Sequence, residues 1–310
     1  MILVTGGTGF VGRALIPRLV EGGAEVRCLI RPSKISPRLP KQVAVQVAIS
    51  PIVDFRGVRA AMVGVDTIIH LASAEWHGRR GNLEKVDIEG TRKILEAAAE
   101  AGVRRIFYLS HLGADKQSAF AVHRTKGRVE EMIRHSNIPY TIFRSALLYG
   151  EEDAFANALA MALATVPGVF LMPGDGRMLV QPLWVEDLVT CIEWGLDDPA
   201  NVNQTLTLGG PEFFTFEQIV KRVMQATGMQ RAAIRVGMPY LRWGARMLET
   251  LLPRSPLTTR WLDHLAVNRI CELTSVTRYF GLKPARFEYT IDYLAGRNWG
   301  AEMRRFVWGK

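Results

Sequence analysis

Two rhythms of apolar residues alternate along the first two thirds of the chain. Ile2-Leu3-Val4 is a short apolar run, and Val11, Leu15 and Leu19 follow it at helical spacing. An uninterrupted run of that kind reads as a strand buried on both faces. A three-to-four-residue spacing reads as a helix with one face on a core. The alternation continues. Strands are expected at 25–30, 43–49, 65–72, 105–110 and 140–144, with helices at 55–63, 82–101 and 124–135. Strand and helix in strict turn predict an α/β fold, a doubly wound parallel sheet. Past Gly150 the rhythm changes. A helix rich in Ala and Met is expected at 154–165, a turn at Gly174-Asp175-Gly176 and a helix at 185–196. Residues 204–210 read as a last strand returning to the sheet. Thr215, with Gln218 three residues on, reads as the capped start of a helix. The remainder to Lys310 is mostly helical.

The first strand-to-helix turn carries the clearest chemistry. Gly6, Gly9 and Gly12 stand in Thr5-Gly6-Gly7-Thr8-Gly9-Phe10-Val11-Gly12 at the spacing of a dinucleotide fold. The first glycine can take a backbone conformation closed to side chains. The second admits a pyrophosphate to the backbone, and the third lets the helix pack close on the strand. The helix N-terminus then offers free N–H groups and a positive dipole end. At the end of the second strand, an acidic residue would bind a ribose 2′-hydroxyl and repel a 2′-phosphate. Arg31 stands there instead, followed by Pro32, Ser33 and Lys34. A guanidinium suits a phosphate in shape and charge, so NADP(H) is expected over NAD(H). The expected division is a Rossmann domain of 1–149 and 182–210 that binds NADP(H). A smaller, mostly helical domain of 150–181 and 211–310 would cover the carboxyl edge of the sheet for a substrate or partner.

Composition narrows the class. The 310 residues are 48% hydrophobic and 22% charged, as in an ordinary globular protein. No run of eighteen apolar residues suggests a membrane span, and no secretory signal is visible at the N-terminus. Cys28, Cys191 and Cys271 lie far apart and read as reduced thiols of a cytosolic protein. The six histidines have no ligand spacing, so no metal site is indicated. Net charge is +9, and residues 240–310 hold twelve Arg or Lys against six Asp or Glu. No nucleic-acid motif accompanies that excess.

With these motifs placed, the chain resembles the short-chain dehydrogenase/reductase superfamily in its extended and atypical branches. The residues that carry the resemblance are the Gly6–Gly12 turn, His70-Leu71-Ala72-Ser73, Asp87-Ile88-Glu89-Gly90-Thr91, Tyr108-Leu109-Ser110, Lys126, Arg144-Ser145-Ala146-Leu147-Leu148-Tyr149-Gly150 and Pro182-Leu183-Trp184-Val185-Glu186-Asp187-Leu188. Gly209-Gly210-Pro211-Glu212 with Thr215-Phe216 looks most like the atypical group that holds the NADPH-binding accessory subunit of respiratory complex I and NmrA-like proteins. The resemblance implies that Gly6, Thr8, Gly9, Phe10, Val11 and Gly12 hold the pyrophosphate. It places Arg31, with Ser33 and Lys34, on the 2′-phosphate and Leu71, Ala72 and Ser73 on the adenosine and ribose side. It also places Ser145 and Leu148, with Ser110 and Lys126, near the nicotinamide.

One departure bears on activity. The family's catalytic Tyr lies four residues before its Lys and protonates the reduced carbonyl. Four residues before Lys126 stands Val122, which has no proton to give. Asp87 replaces the family's Asn, and Ser50 replaces the acidic residue that often ends the third strand. His123, three residues before Lys126, and His111, after Ser110, are the candidate substitute acids. Two functions stay open. One is a module that holds NADPH in a structural, assembly or redox-sensing role. The other is an NADPH-dependent oxidoreductase acting on a small carbonyl or enone. In the basic tail, 240–252 puts Leu241, Ala245, Leu248 and Leu252 on one face, widened by Trp243 and Met247, and Arg242, Arg246 and Glu249 on another. Such a helix can pack on its own domain, join a protein complex or lie on a membrane surface. The expected location is cytoplasmic or membrane-peripheral.

Overall fold

The computed structural model describes residues 1–33, 39–40 and 43–308. The first half alternates as expected: β1 (Ile2–Thr5), α1 (Phe10–Glu21), β2 (Val26–Ile30), β3 (Gln46–Ile49), α2 (Phe55–Ala61), β4 (Thr67–His70), α3 (Gly90–Ala101), β5 (Arg105–His111), α4 (Ala121–Arg134) and β6 (Tyr140–Ser145). Then come β7 (Leu148–Tyr149), α5 (Ala156–Thr165), β8 (Val169–Pro173), β9 (Leu179–Val180), β10 (Leu183–Trp184), α6 (Val185–Leu196) and β11 (Gln204–Leu208). Seven strands form one sheet in the order β11-β6-β5-β4-β1-β2-β3, every pair parallel. Strand order reverses between β1 and β4, and ligands of such sheets bind in the crevice outside that point. The stretch 204–210 does return to the sheet, as β11 beside β6.

Helices cover both faces. Leu15, Ile16 and Leu19 of α1 and Leu188, Cys191 and Ile192 of α6 pack on one side. Val58 of α2, Ile94 and Ala98 of α3, and Val129 and Ile133 of α4 pack on the other. Each Leu, Ile or Val among them contributes about 1.5–3 kcal/mol by leaving water. β3 starts three residues later than the apolar pattern suggested. It is an edge strand, paired only with β2 and largely exposed, so alternation there has no second face to bury. The helix expected at 82–101 is interrupted: Glu84–Glu89 forms a π-helical turn before α3. Such turns recur at functional sites, and this one carries the buried Asp87.

β12 (Phe214–Thr215), α7 (Phe216–Thr227), β13 (Ala232–Val236), α8 (Met238–Leu251), α9 (Thr259–Asp263), α10 (Ser275–Phe280), α11 (Phe287–Thr290) and α12 (Trp299–Trp308) complete the chain. Thr215 and Gln218 form the expected capping box on α7. A separate core joins Tyr149, Phe155 and Leu159 to Phe216, Trp261, Leu294 and Trp299. β8 and β13 pair in parallel, a small sheet the helical pattern of the tail did not announce.

Candidate functional site

The glycine turn is shaped by close approach. Gly6 has φ of 73°, and a Cβ there would lie 2.7 Å from the Ala72 nitrogen. A Cβ on Gly12 would lie 2.6 Å from the Gly6 carbonyl oxygen and the Gly7 Cα. Strand end, turn and helix are thus packed backbone to backbone. Gly9 differs: it is exposed, and its Cβ would meet one atom, the Gly6 oxygen, at 3.1 Å. α1 begins with no side-chain cap on Gly9 and no acidic residue in its first turn. Its first amides and dipole end are therefore left to an anion. Phe10 reaches over Gly150, and Arg13 donates to the Thr8 carbonyl at 2.5 Å. Arg31 is exposed just past β2 and pairs with no carboxylate among the described residues. Partial burial, then the charges of Arg31, Arg260 and Arg254, hold His77 below its ordinary pKa, so this rim is basic. These features fit a dinucleotide. Ser33 is exposed beside Arg31, and Lys34 lies outside the described residues.

The carboxyl end of β4 is held by a buried histidine. His70 Nδ1 meets Thr5 Oγ1 at 2.6 Å and its Nε2 meets Thr91 Oγ1 at 2.9 Å. Burial drives its pKa down to about 3, so it is a neutral bridge between β1, β4 and α3. Leu71 and Ala72 follow directly against Gly6, and Ser73 comes next. Ser73 Oγ and the Ala72-to-Ala74 turn are fixed by Asp87, which accepts from Ser73 at 2.6 Å and from the Ala74 amide at 2.9 Å.

At the carboxyl end of β5 two candidates have different partners. Ser110 Oγ donates to Glu130 at 2.6 Å, and Glu130 also binds Arg134 and Arg144. The Ser110 hydroxyl is therefore committed to a structural network under α4. His111 instead meets His123, in the first turn of α4, and His264, ring centroids 4.8 and 5.8 Å away. Its Nδ1 faces the Leu112 carbonyl at 3.0 Å, which leaves the buried Nε2 without a partner. His123 Nε2 faces the Asp263 carbonyl at 3.3 Å, and its Nδ1 has no partner. Ser145 Oγ donates to the Ser110 carbonyl at 3.3 Å, and Leu148 is half-buried on β7.

Lys126 is buried in this same corner. Its Nζ lies 3.5 Å from Glu75, donates to the Leu109 carbonyl at 3.2 Å and sits over the Tyr108 ring. Burial works against the ammonium, but Tyr108, Glu75 and Asp87 outweigh it and hold the group above the usual lysine value. The other Glu75 oxygen lies 3.4 Å from His264 Nε2. Arg269 donates to His264 Nδ1 at 2.9 Å, and Trp76 stacks on the ring. Burial first, then the Arg269 charge, pushes His111 and His264 well below the ordinary histidine value. Val122 is buried among Ala74 and Leu83, so nothing titratable occupies the place of the family's Tyr.

Glu75, His111 and His264 bring ligand atoms within 4.8 Å of one another. A metal ion does not suit them. Arg269 has only protons to give, so His264 carries its own proton on Nε2, the atom facing Glu75. The Lys126 ammonium occupies the carboxylate from the other side. The cluster is an internal ion network.

Comparison with known proteins accords with this geometry. Residues 6–163 match the NAD(P)H-binding family. The chain belongs to that family. It is 30% identical to NADH dehydrogenase (ubiquinone) 1 alpha subcomplex subunit 9 of Arabidopsis thaliana mitochondria, over 70% of this chain and 56% of that one. The Rattus norvegicus protein of the same name is 29% identical, over 83% and 69%. The 40 kDa subunit of Neurospora crassa NADH-ubiquinone oxidoreductase is 27% identical, over 94% and 78%. The chain thus spans little more than half of the Arabidopsis relative. An NADPH-dependent quinone oxidoreductase of Escherichia coli, solved with NADPH, has the same fold, with a TM-score of 0.74 at 18% identity over 95% of this chain and 99% of that one.

Within this family setting, the glycine turn, the 71–73 segment, His111, His123 and Lys126 gather at the carboxyl end of the sheet. Glu75, Arg260, His264 and Arg269 escaped the sequence reading. Arg260, His264 and Arg269 share one short stretch of the tail and Glu75 lies far up the chain; no motif links the two, and their trace is polar residues set among apolar neighbours.

Proposed function

We propose that the chain binds NADP(H) along the Gly6–Gly12 turn and holds it with little turnover, in a structural, assembly or redox-sensing role, a reading supported by its similarity to proteins named as subunits of NADH dehydrogenase. Gly6, Thr8, Gly9, Phe10, Val11 and Gly12 take the pyrophosphate. Arg31 and Ser33 take the 2′-phosphate, Leu71 to Ser73 the adenosine side, and Lys126, Ser145 and Leu148 the nicotinamide side. The observation that carries the reading is Val122, buried where a phenol would be needed, one helical turn from a Lys126 whose ammonium is already paired with Glu75. The missing acid normally contributes ~10² to 10⁴ in rate.

The unpartnered nitrogens of His111 and His123 support a second reading, a slow carbonyl or enone reductase. Bound NADPH would supply a hydride; the chain's own task would be to give a proton to the substrate oxygen. Both rings are held below the ordinary histidine value and are neutral at pH 7. Such a reductase would therefore speed up as pH falls. Wild type mixed with NADPH and simple ketones is expected to leave the NADPH reduced, as followed by its absorbance. Rapid oxidation that His111→Ala or His123→Ala abolishes would establish the reductase instead. Val122→Tyr is expected to gain nothing in a pure binding module and to raise ketone turnover in a decayed reductase.

A further inference from the structure

We propose that α8 docks on an anionic lipid surface. The helix has two apolar faces, and the fold uses only one. Leu241 and Ala245 turn inward against the core around Trp261. Tyr240, Trp243, Met247 and Leu251 recur every three or four residues on the outer face and are 77%, 69%, 43% and 71% exposed. The sequence pattern had assigned Trp243 and Met247 to the inward side; the helix turns them out because Leu241 and Ala245 already fill the contact. Single exposed apolar residues are ordinary, but a continuous stripe of four, two of them aromatic with polar tips, has no role in this core. Rings of that kind settle at the boundary between headgroups and acyl chains.

Charge selects the occupant. Residues 238–260 contain four arginines and one glutamate. Glu249 is committed inward, accepting from the Arg79 amide and from Thr259. Arg242 pairs with Asp263. Arg246 and Arg254 are exposed and enter no ion pair among the described residues. The stripe is thus rimmed by uncompensated positive charge. A second copy docking through the same patch would set arginine against arginine across a two-fold axis, which disfavours that occupant. Anionic headgroups meet both requirements, since apolar insertion and a basic rim together give stable attachment where either alone is marginal. Among the described residues no helix is long and apolar enough to cross a membrane, so attachment would be to the surface.

The full chain should be sedimented with vesicles of phosphatidylcholine alone and of phosphatidylcholine mixed with phosphatidylglycerol. We expect pelleting with the mixed vesicles at low salt, lost as salt rises. Trp243→Ser with Leu251→Ser should abolish it while NADPH binding and the unfolding midpoint stay at wild type. Arg246→Gln with Arg254→Gln should weaken it about 10- to 30-fold. Gly9→Ala should pellet like wild type, since docking does not need the nucleotide. No pelleting with mixed vesicles at low salt, or pelleting unchanged in the double serine variant, would overturn the proposal. Dimerisation lost in that variant, without vesicle binding, would assign the stripe to a second copy; capture of an acidic protein without vesicle binding would assign it to a protein partner.

Discussion

His70, His111, His123 and His264 are buried, and all four are held below the histidine value they have in an unfolded chain. Below about pH 6.5 the unfolded chain therefore binds protons that the folded chain refuses. Stability should be level above pH 7 and fall as pH drops, by up to about 1.4 kcal/mol per pH unit for each histidine. Urea unfolding between pH 5 and pH 8, working values on the order of the histidine range, measures the slope. His111→Asn should lower it by one proton; an unchanged slope would mean His111 is already charged in the folded protein. The same residue illustrates a limit of sequence reading. Ser110 and His111 are neighbours in the chain, and both were candidates at one sheet edge. The fold gives them different partners: Glu130 of α4 takes the serine, while the histidine joins His123 and His264.

Among the elements, the turn into α1 does the most. Its three glycines look alike in sequence, yet their surroundings predict different outcomes. Gly12→Ala puts a methyl 2.6 Å from two backbone atoms, so the fold itself should be destabilised, by about 1–3 kcal/mol. Gly9→Ala has open space but for one oxygen, so the variant should fold and lose NADPH affinity where the pyrophosphate must meet the backbone. Thermal melts with and without NADPH separate the two. Arg31, at the end of the neighbouring strand, should set nucleotide preference. Arg31→Ala is expected to weaken NADPH binding about 10-fold or more and leave NADH binding nearly unchanged. Equal affinities for NADPH before and after the change, by fluorescence titration, would remove Arg31 from the site.

For the molecule as a whole, the tail packs apolar side chains on two cores and is pinned by specific polar contacts. Arg260 donates to the Ala74 carbonyl at 2.9 Å and to the Gly81 carbonyl at 2.5 Å, clamping α9 onto the segment Glu75–Arg80. Glu75 in turn joins Lys126 of α4 to His264. Arg260→Ala should therefore loosen a whole corner, lowering stability by about 1–3 kcal/mol. It should also raise deuterium exchange in 72–81 and 258–269 together. Faster exchange in only one of the two would mean they are not one cooperative unit.

The alternation of strands and helices, the parallel sheet and the glycine turn were legible from residue to residue. Each depends on local rules: side-chain period, turn conformation, the reach of one strand into the next helix. Val122 was legible for the same reason, as a fixed spacing on one helix. The ion network of Glu75, Lys126, His264 and Arg269 was not, because its members come from three separate segments and meet only when the tail folds back. Nor was the outward stripe of α8. Its apolar residues satisfy two helical faces equally well, and only the packing of Leu241 and Ala245 on the core of Trp261 decided which face was left to solvent.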